Sequence, residues 1–143
     1  VRLPGASKPL IGEIDLIVRD EHGEIVLVDW KTAARKWPDG KAHKDLQATC
    51  FCFGWRELSG YIPEFRYDVV TKTKTPAYIP YLTSREEDDF DRLLALVEVV
   101  EQAVQAEAFL PNGSYGCGDC PFGNACKAWH RNRARLISIP QAA

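Results

Sequence analysis

Two apolar runs lie close together near the start of the chain. Ile11 to Val18 is broken only by Gly12, Glu13 and Asp15, and the run that opens at Glu24 stays apolar until Asp29 and Trp30. Short runs without alternation predict strands covered on two faces. Asp20-Glu21-His22-Gly23 between them reads as a turn, so the pair reads as a hairpin. A three-residue loop, Glu21-His22-Gly23, places Asp15 opposite Asp29 on one face. Such a loop needs a positive φ at its third position, which Gly23 adopts without steric conflict. Lys31, two residues beyond Asp29, then projects to the same side, and Trp30 to the other.

Further along, the period changes. After a polar connection from Thr32 to Lys41, residues 42–58 show helical spacing, with Leu46, Cys50 and Phe53 on one stripe, Gln47 and Phe51 beside it, and Gly60 as the stop. Glu64 to Thr71 is strand-like. Ala77 to Leu82 reads as its hairpin partner after the Lys-Thr-Lys-Thr-Pro turn, and Pro80 makes that partner an edge strand. Ser84 and Glu87 have the spacing of a capping box, and the helix they open carries Phe90, Leu93, Leu94, Val97, Val100 and Val104 at three- and four-residue steps. The acids at its start, Glu86 to Asp89 and Asp91, complement the helix dipole. Pro111-Asn112-Gly113 separates this helix from a cysteine-rich segment.

Composition narrows the class. In 143 residues, 45% are apolar, 27% charged and 10% aromatic, enough for one core. No stretch approaches the ~18 apolar residues of a membrane span, and Val1 to Leu10 lacks the apolar run of a signal peptide, so a soluble cytoplasmic protein with no membrane partner is the expectation. A net charge of −2 leaves any nucleic-acid binding to local patches. Of five cysteines, Cys117, Cys120 and Cys126 crowd together, a metal-site pattern in a reducing compartment rather than a disulfide framework.

Two carboxylates on adjacent strands with a lysine beside them have the chemistry of a hard-metal site. Asp15, Asp29 and a backbone carbonyl near Trp30 offer oxygen ligands to Mg²⁺ or Mn²⁺, and Lys31 would steady a water or the charge developing on a phosphoryl group. The competing reading is a buried Asp29–Lys31 ion pair, which leaves two facing acids to repel each other without a cation.

Gly12-Glu13-Ile14-Asp15, Asp29-Trp30-Lys31-Thr32, Gln47, Lys72-Thr73-Lys74-Thr75-Pro76 and Cys117-Gly118-Asp119-Cys120-Pro121-Phe122 with Cys126 follow one another in an order that resembles the PD-(D/E)XK nuclease superfamily, in its RecB-like branch. The resemblance implies a restriction-endonuclease-like α/β core, metal ligation by Asp15 and Asp29, a catalytic Lys31, and a Gln47 that organises the site or touches DNA. It also implies a helical segment before the first strand that carries an acid or histidine, a motif not found in the ten residues before Ile11. An excised part of a longer nuclease, a compact variant and an inactive domain are the three expectations that follow. Phe51 occupies the place of a tyrosine common in the family. His43 is a substitute for the missing histidine or a solvated helix-end residue.

In that branch the cysteine spacing supplies three thiolates to a [4Fe–4S] cluster. His130 completes Cys117, Cys120 and Cys126 as an alternative Zn²⁺ set, and Cys50 and Cys52 read as core. The three cysteines are expected to converge on one centre. Arg35, Lys36, Lys41 and Lys44, and Lys127, Arg131, Arg133 and Arg135, are candidate phosphate contacts, and Trp37, Trp55 and Trp129 candidate stacking surfaces. The expectation is therefore an α/β domain with a mixed central sheet flanked by helices over residues 1–110, and a cysteine-rich metal or cluster tail over 111–143 packed on it. Its partner would be DNA, within a helicase–nuclease assembly or a phage recombination system. The alternative is a non-catalytic nucleic-acid-binding module with a structural cysteine lobe.

Overall fold

In the computed structural model, which describes residues 1–108 and 113–134, the hairpin turns where its glycine directs. β1 (Leu16–Arg19) and β2 (Ile25–Ala33) pair antiparallel, with Leu16 opposite Val28 and Arg19 opposite Ile25. The Asp20 N–H donates to Glu24 O at 2.9 Å, leaving Glu21, His22 and Gly23 as the loop, and Gly23 takes φ 85°. The Asp20 carboxylate accepts from the N–H groups of His22 and Glu24, each at 2.9 Å, and braces the turn from inside.

β3 (Glu64–Thr71) lies parallel to β2, with Tyr67 opposite Asp29 and Val69 opposite Lys31, and β4 (Tyr78–Thr83) returns antiparallel to β3. The mixed sheet has the order β1-β2-β3-β4, which leaves Pro80 on an edge strand, where its missing N–H breaks no ladder between inner strands. Ile25 through Asp29 are all buried, as the unalternating run predicts.

The crossover between the two parallel strands carries α1 (Lys41–Lys44) and α2 (Leu46–Ser59). The spacing predicts one helix over 42–58, and the structure breaks it at Asp45. That residue is extended (φ −79°, ψ 121°), and its carboxylate accepts from the Gln47 N–H at 3.0 Å, so it ends α1 and caps α2. Gly60, at φ 83°, closes α2 by donating its N–H to Arg56 O at 2.8 Å.

One face of the sheet presents Leu27, Phe65, Tyr67 and Val69 to the helices. They form the core with Ala48, Cys52 and Phe53 of α2 and with Phe90 and Leu93 of α3 (Glu87–Gln105). Phe53 meets Phe90 edge-on at 5.6 Å, and Phe51 stacks on Phe65 at 6.0 Å. Phe51 also explains why β1 is shorter than its apolar run: residues 11–14 leave the sheet to lie along α2. A Cβ on Gly12 would stand 3.0 Å from the Phe51 ring, an approach that a side chain there would block.

The capping box expected of Ser84 and Glu87 is replaced by a single side-chain cap two residues on. The Glu86 N–H donates to the Asp89 carboxylate at 3.0 Å, while Glu87 pairs with Arg56. Ser84 is instead drawn into the bonds of the buried Arg85, which takes its carbonyl. Phe90 and Leu93 are buried, Leu94 and Val97 pack on the core, and Val99, Val100 and Val104 are exposed, so the apolar stripe of α3 is used over its first half.

The chain divides into two compact units, Val1–Gln102 and Ala103–Ala143. The first holds the sheet, α1, α2 and most of α3. In the second, a 3₁₀ turn at Tyr115–Cys117 precedes α4 (Gly123–Ala134). The boundary expected after residue 110 falls among residues outside those described.

Gly23 has open space around it, so its left-handed backbone is the whole constraint. Gly23→Ala is expected to lower unfolding free energy by about 1 kcal/mol with an unchanged denaturant slope, measured by urea unfolding.

Candidate active site

β2 is apolar through Val28 and then places a carboxylate on the helix-facing side of the sheet. Asp29 is 5% exposed, and both of its oxygens are engaged. Gln47, in the first turn of α2, donates Nε2–H to Oδ1 at 2.7 Å, and the Lys31 ammonium lies 2.6 Å from Oδ2. Lys31 is thus the charged partner of that buried oxygen. The Lys31 side chain is about one-third exposed and links the buried carboxylate to solvent.

Asp15 lies just before β1. Leu16 pairs with Val28, and the same register continued by one residue would bring Asp15 level with Asp29. Its Oδ2 accepts from the Trp30 N–H at 2.8 Å. In an antiparallel ladder hydrogen-bonded pairs alternate, and the Asp20–Glu24 bond makes residues 14 and 30 the next pair in line beyond Leu16 and Val28. With β1 already ended, the Asp15 carboxylate takes the N–H that the Ile14 carbonyl would have taken. One acid is therefore buried and the other exposed, joined through the main chain of Trp30, whose ring is exposed.

Tyr67, opposite Asp29 on β3, is fully buried. Burial first, and then the negative charge of Asp45, push its phenol well above the usual range, so it stays protonated beside the acids. His43 is engaged elsewhere, with Nδ1 2.9 Å from Thr83 Oγ1.

The structure does not gather the cysteines. Cys117, Cys120 and Cys126 are all exposed, and among the described residues no group of three or more His, Cys, Asp or Glu side chains is placed to hold a metal ion. Backbone bonds shape the segment instead: Gly123 N–H to Cys120 O at 3.0 Å and Cys126 N–H to Phe122 O at 2.8 Å carry the chain into α4. The Cys117 sulfur accepts from the Ser114 N–H at 3.4 Å, and the His130 ring stands edge-on to Trp129 at 4.7 Å. Cys50 is half-buried and Cys52 buried; both act as core residues, and burial pushes the Cys52 thiol up to about 12.

Several candidate contacts prove to be packing. Trp37 lies against Tyr67 and Tyr81, with Lys41 over its ring at 4.2 Å and 3.6 Å from Asp45. Trp55 meets Tyr61 edge-on and lines an apolar groove of about 540 Å³ with Ile11, Gln47 and Phe51. Arg35, Lys36, Lys44, Lys127 and Arg131 are exposed; the side chain of Arg133 and all of Arg135 lie outside the described residues. Sequence reasoning missed Asp45, Tyr67 and Arg85. Only Asp45 carried a signal, an acid two residues before Gln47 in the place of an N-cap.

A model of the PD-(D/E)XK nuclease superfamily matches residues 5–127. No curated protein matches the chain. Among solved structures, the crystal structure of SSO0001 is similar in fold, at 16% sequence identity and a TM-score of 0.50. The alignment covers 80% of this chain and 50% of that one, so the chain spans about half the length of that structure.

Thiol chemistry offers a check on the packing around α2. A thiol held at about 12 is roughly one-thousandth ionised at pH 9, and thiolate reactivity falls with it. Iodoacetamide at pH 9 is expected to alkylate Cys120 and Cys126 in the folded protein and to reach Cys52 only after denaturation, read by mass spectrometry. Equal labelling of Cys52 in the folded state would contradict the buried site.

Proposed function

The chain belongs to the PD-(D/E)XK nuclease superfamily, and on that footing we propose that it hydrolyses DNA phosphodiester bonds with Mg²⁺ or Mn²⁺, as a nuclease of the RecB-like type. The observation that carries this reading is the convergence of Lys31 and Gln47 on the buried Asp29 carboxylate, with the Asp15 carboxylate bonded to the N–H of the next residue, Trp30.

The donor set suits a hard divalent cation. Asp15 and Asp29 with the Trp30 carbonyl would hold it through oxygen, and the ion would share the Asp29 carboxylate with the Lys31 ammonium. When bound, the ion would polarise the phosphoryl oxygen and acidify the attacking water. The chain's own groups divide the remaining tasks. Gln47 anchors Oδ1 and fixes the orientation of the Asp29 carboxylate. The Trp30 N–H anchors one oxygen of Asp15 and leaves its carboxylate at the surface, where substrate arrives. Lys31, paired with Asp29 yet part-exposed, presents a positive charge to the phosphate as negative charge builds on it. Water adds to phosphorus, a P–O bond breaks, and the proton lost by the water ends on the departing oxygen.

The specificity for DNA, the RecB-like type and a place in a helicase–nuclease or phage recombination system rest on the motif order in the sequence. The cysteine segment does not present a gathered ligand set, so no step here draws on a [4Fe–4S] cluster or on zinc held with His130.

The test is a divalent-metal titration with labelled single- and double-stranded oligonucleotides. Mg²⁺ or Mn²⁺ is expected to switch on cleavage, and Asp29→Ala and Lys31→Ala each to reduce it by about a hundredfold or more. Asp29→Ala should stay folded by circular dichroism, because Lys31 reaches solvent once its partner is gone, whereas Lys31→Ala strands the buried Asp29 carboxylate and its cleavage is compared only after the same measurement shows it folded. Cleavage by Asp29→Ala at the parent rate would overturn the assignment, and oligonucleotide binding without cleavage under every metal would favour the binding-module alternative.

A further inference from the structure

Arg85 is 5% exposed, and among the described residues none of its hydrogen bonds goes to a carboxylate. Its five N–H groups meet five neutral oxygens. Nε donates to Thr49 Oγ1 at 2.8 Å, Nη1 to Thr83 Oγ1 at 2.7 Å and to Ser84 O at 2.6 Å, and Nη2 to Ala42 O at 3.1 Å and to Asp45 O at 3.0 Å. A buried cation without an ion partner is costly, and an apolar side chain of the same volume would generally serve packing as well or better. The guanidinium does something that such a side chain cannot: its rigid fork fixes several oxygens relative to one another.

Those oxygens define the break between α1 and α2. Ala42 O and Asp45 O lie at the junction of the two helices, where Ala42 O also accepts from the Asp45 N–H at 3.4 Å, and Thr49 lies in the second turn of α2. Asp45 and Thr49, two residues either side of Gln47, lie near one side of the helix start, and Gln47 projects from the other side toward Asp29. Gripping both flanks sets where α2 begins and how it is rotated. Without the break at Asp45, the helix cap on the Gln47 N–H would be lost and the direction of the Gln47 side chain would change.

We infer that Arg85 is a positioning residue for the contact between Gln47 and Asp29: it acts through Asp45 and Thr49 to hold the Gln47 amide on the buried carboxylate. The importance of this contact for catalysis rests on the nuclease reading; the positioning itself does not. Arg85→Lys keeps the charge and loses the fork, so it separates geometry from electrostatics.

The experiment pairs NMR with kinetics. The Gln47 side-chain amide resonances, identified by their loss in Gln47→Ala, are expected to shift and broaden in Arg85→Lys, while core amides such as Leu27 and Val69 keep their positions. In cleavage assays, Arg85→Lys is expected to lower kcat by about ten- to a hundredfold with KM within about twofold. In a Gln47→Ala background, the same change is expected to have little further effect, because both variants remove one interaction. If Arg85→Lys does not fold, Thr49→Val removes one acceptor of the fork and is expected to give a smaller shift with the same coupling. Unchanged Gln47 resonances in the folded variant, or kcat losses that multiply with Gln47→Ala, would overturn the inference. A parent protein that cleaves nothing under any metal defeats the nuclease reading alone, and the Gln47 resonances then decide the role of Arg85.

Discussion

Everything near the candidate site depends on holding one carboxylate inside an apolar layer. A carboxylate at that depth has given up its water, so Asp29 requires polar partners to replace it. Lys31 is supplied two residues on, by the alternation of the strand itself. Gln47 is supplied by a helix that must start at a defined point, and that point is set by an acid at Asp45 and by a buried guanidinium from the far side of the crossover. Much of the first unit can thus be read as the support for a single carboxylate.

The topology makes this support economical. β2 and β3 are parallel, so a helix must cross between them, and the crossover brings the start of α2 back over the sheet. The hairpin before β2 contributes the opposite kind of control. Its three-residue loop fixes the register of β1 on β2, and a loop one residue longer would have turned the side chains of β1 to the other face. Parallel pairing on one side of β2 and antiparallel pairing on the other let acids and amides from distant segments meet on one strand.

The legible features were those fixed within a few residues. The hairpin register follows from loop length and from Gly23, and the β3 limits and the Gly60 stop agree with their local signals, because turns and caps are short-range chemistry. Gln47 carried no signal of its own and entered only through the resemblance to a family. The helix break at Asp45 was hidden because the apolar spacing continues across it, and Arg85 was hidden because its partners are hydroxyl and main-chain oxygens that a sequence does not advertise. The cysteine segment shows the reverse: its spacing suits a metal, but backbone bonding at the start of α4 leaves the thiols exposed and unclustered among the described residues.

The shortness of β1 has a bearing on colonies of molecules as well as on single ones. As an outer strand of the sheet it offers unpaired main-chain groups and two exposed apolar side chains, Leu16 and Ile17, a combination that invites a neighbouring chain to add a strand and begin aggregation. The available length is only four residues, from Leu16 to Arg19, with a carboxylate at each end: Asp15 folded onto Trp30 and Asp20 folded into the turn. A strand added there would find a short template flanked by negative charge. The acid that serves the candidate catalytic site therefore doubles as a gatekeeper of solubility, so replacing it trades away protection against self-association along with any chemistry.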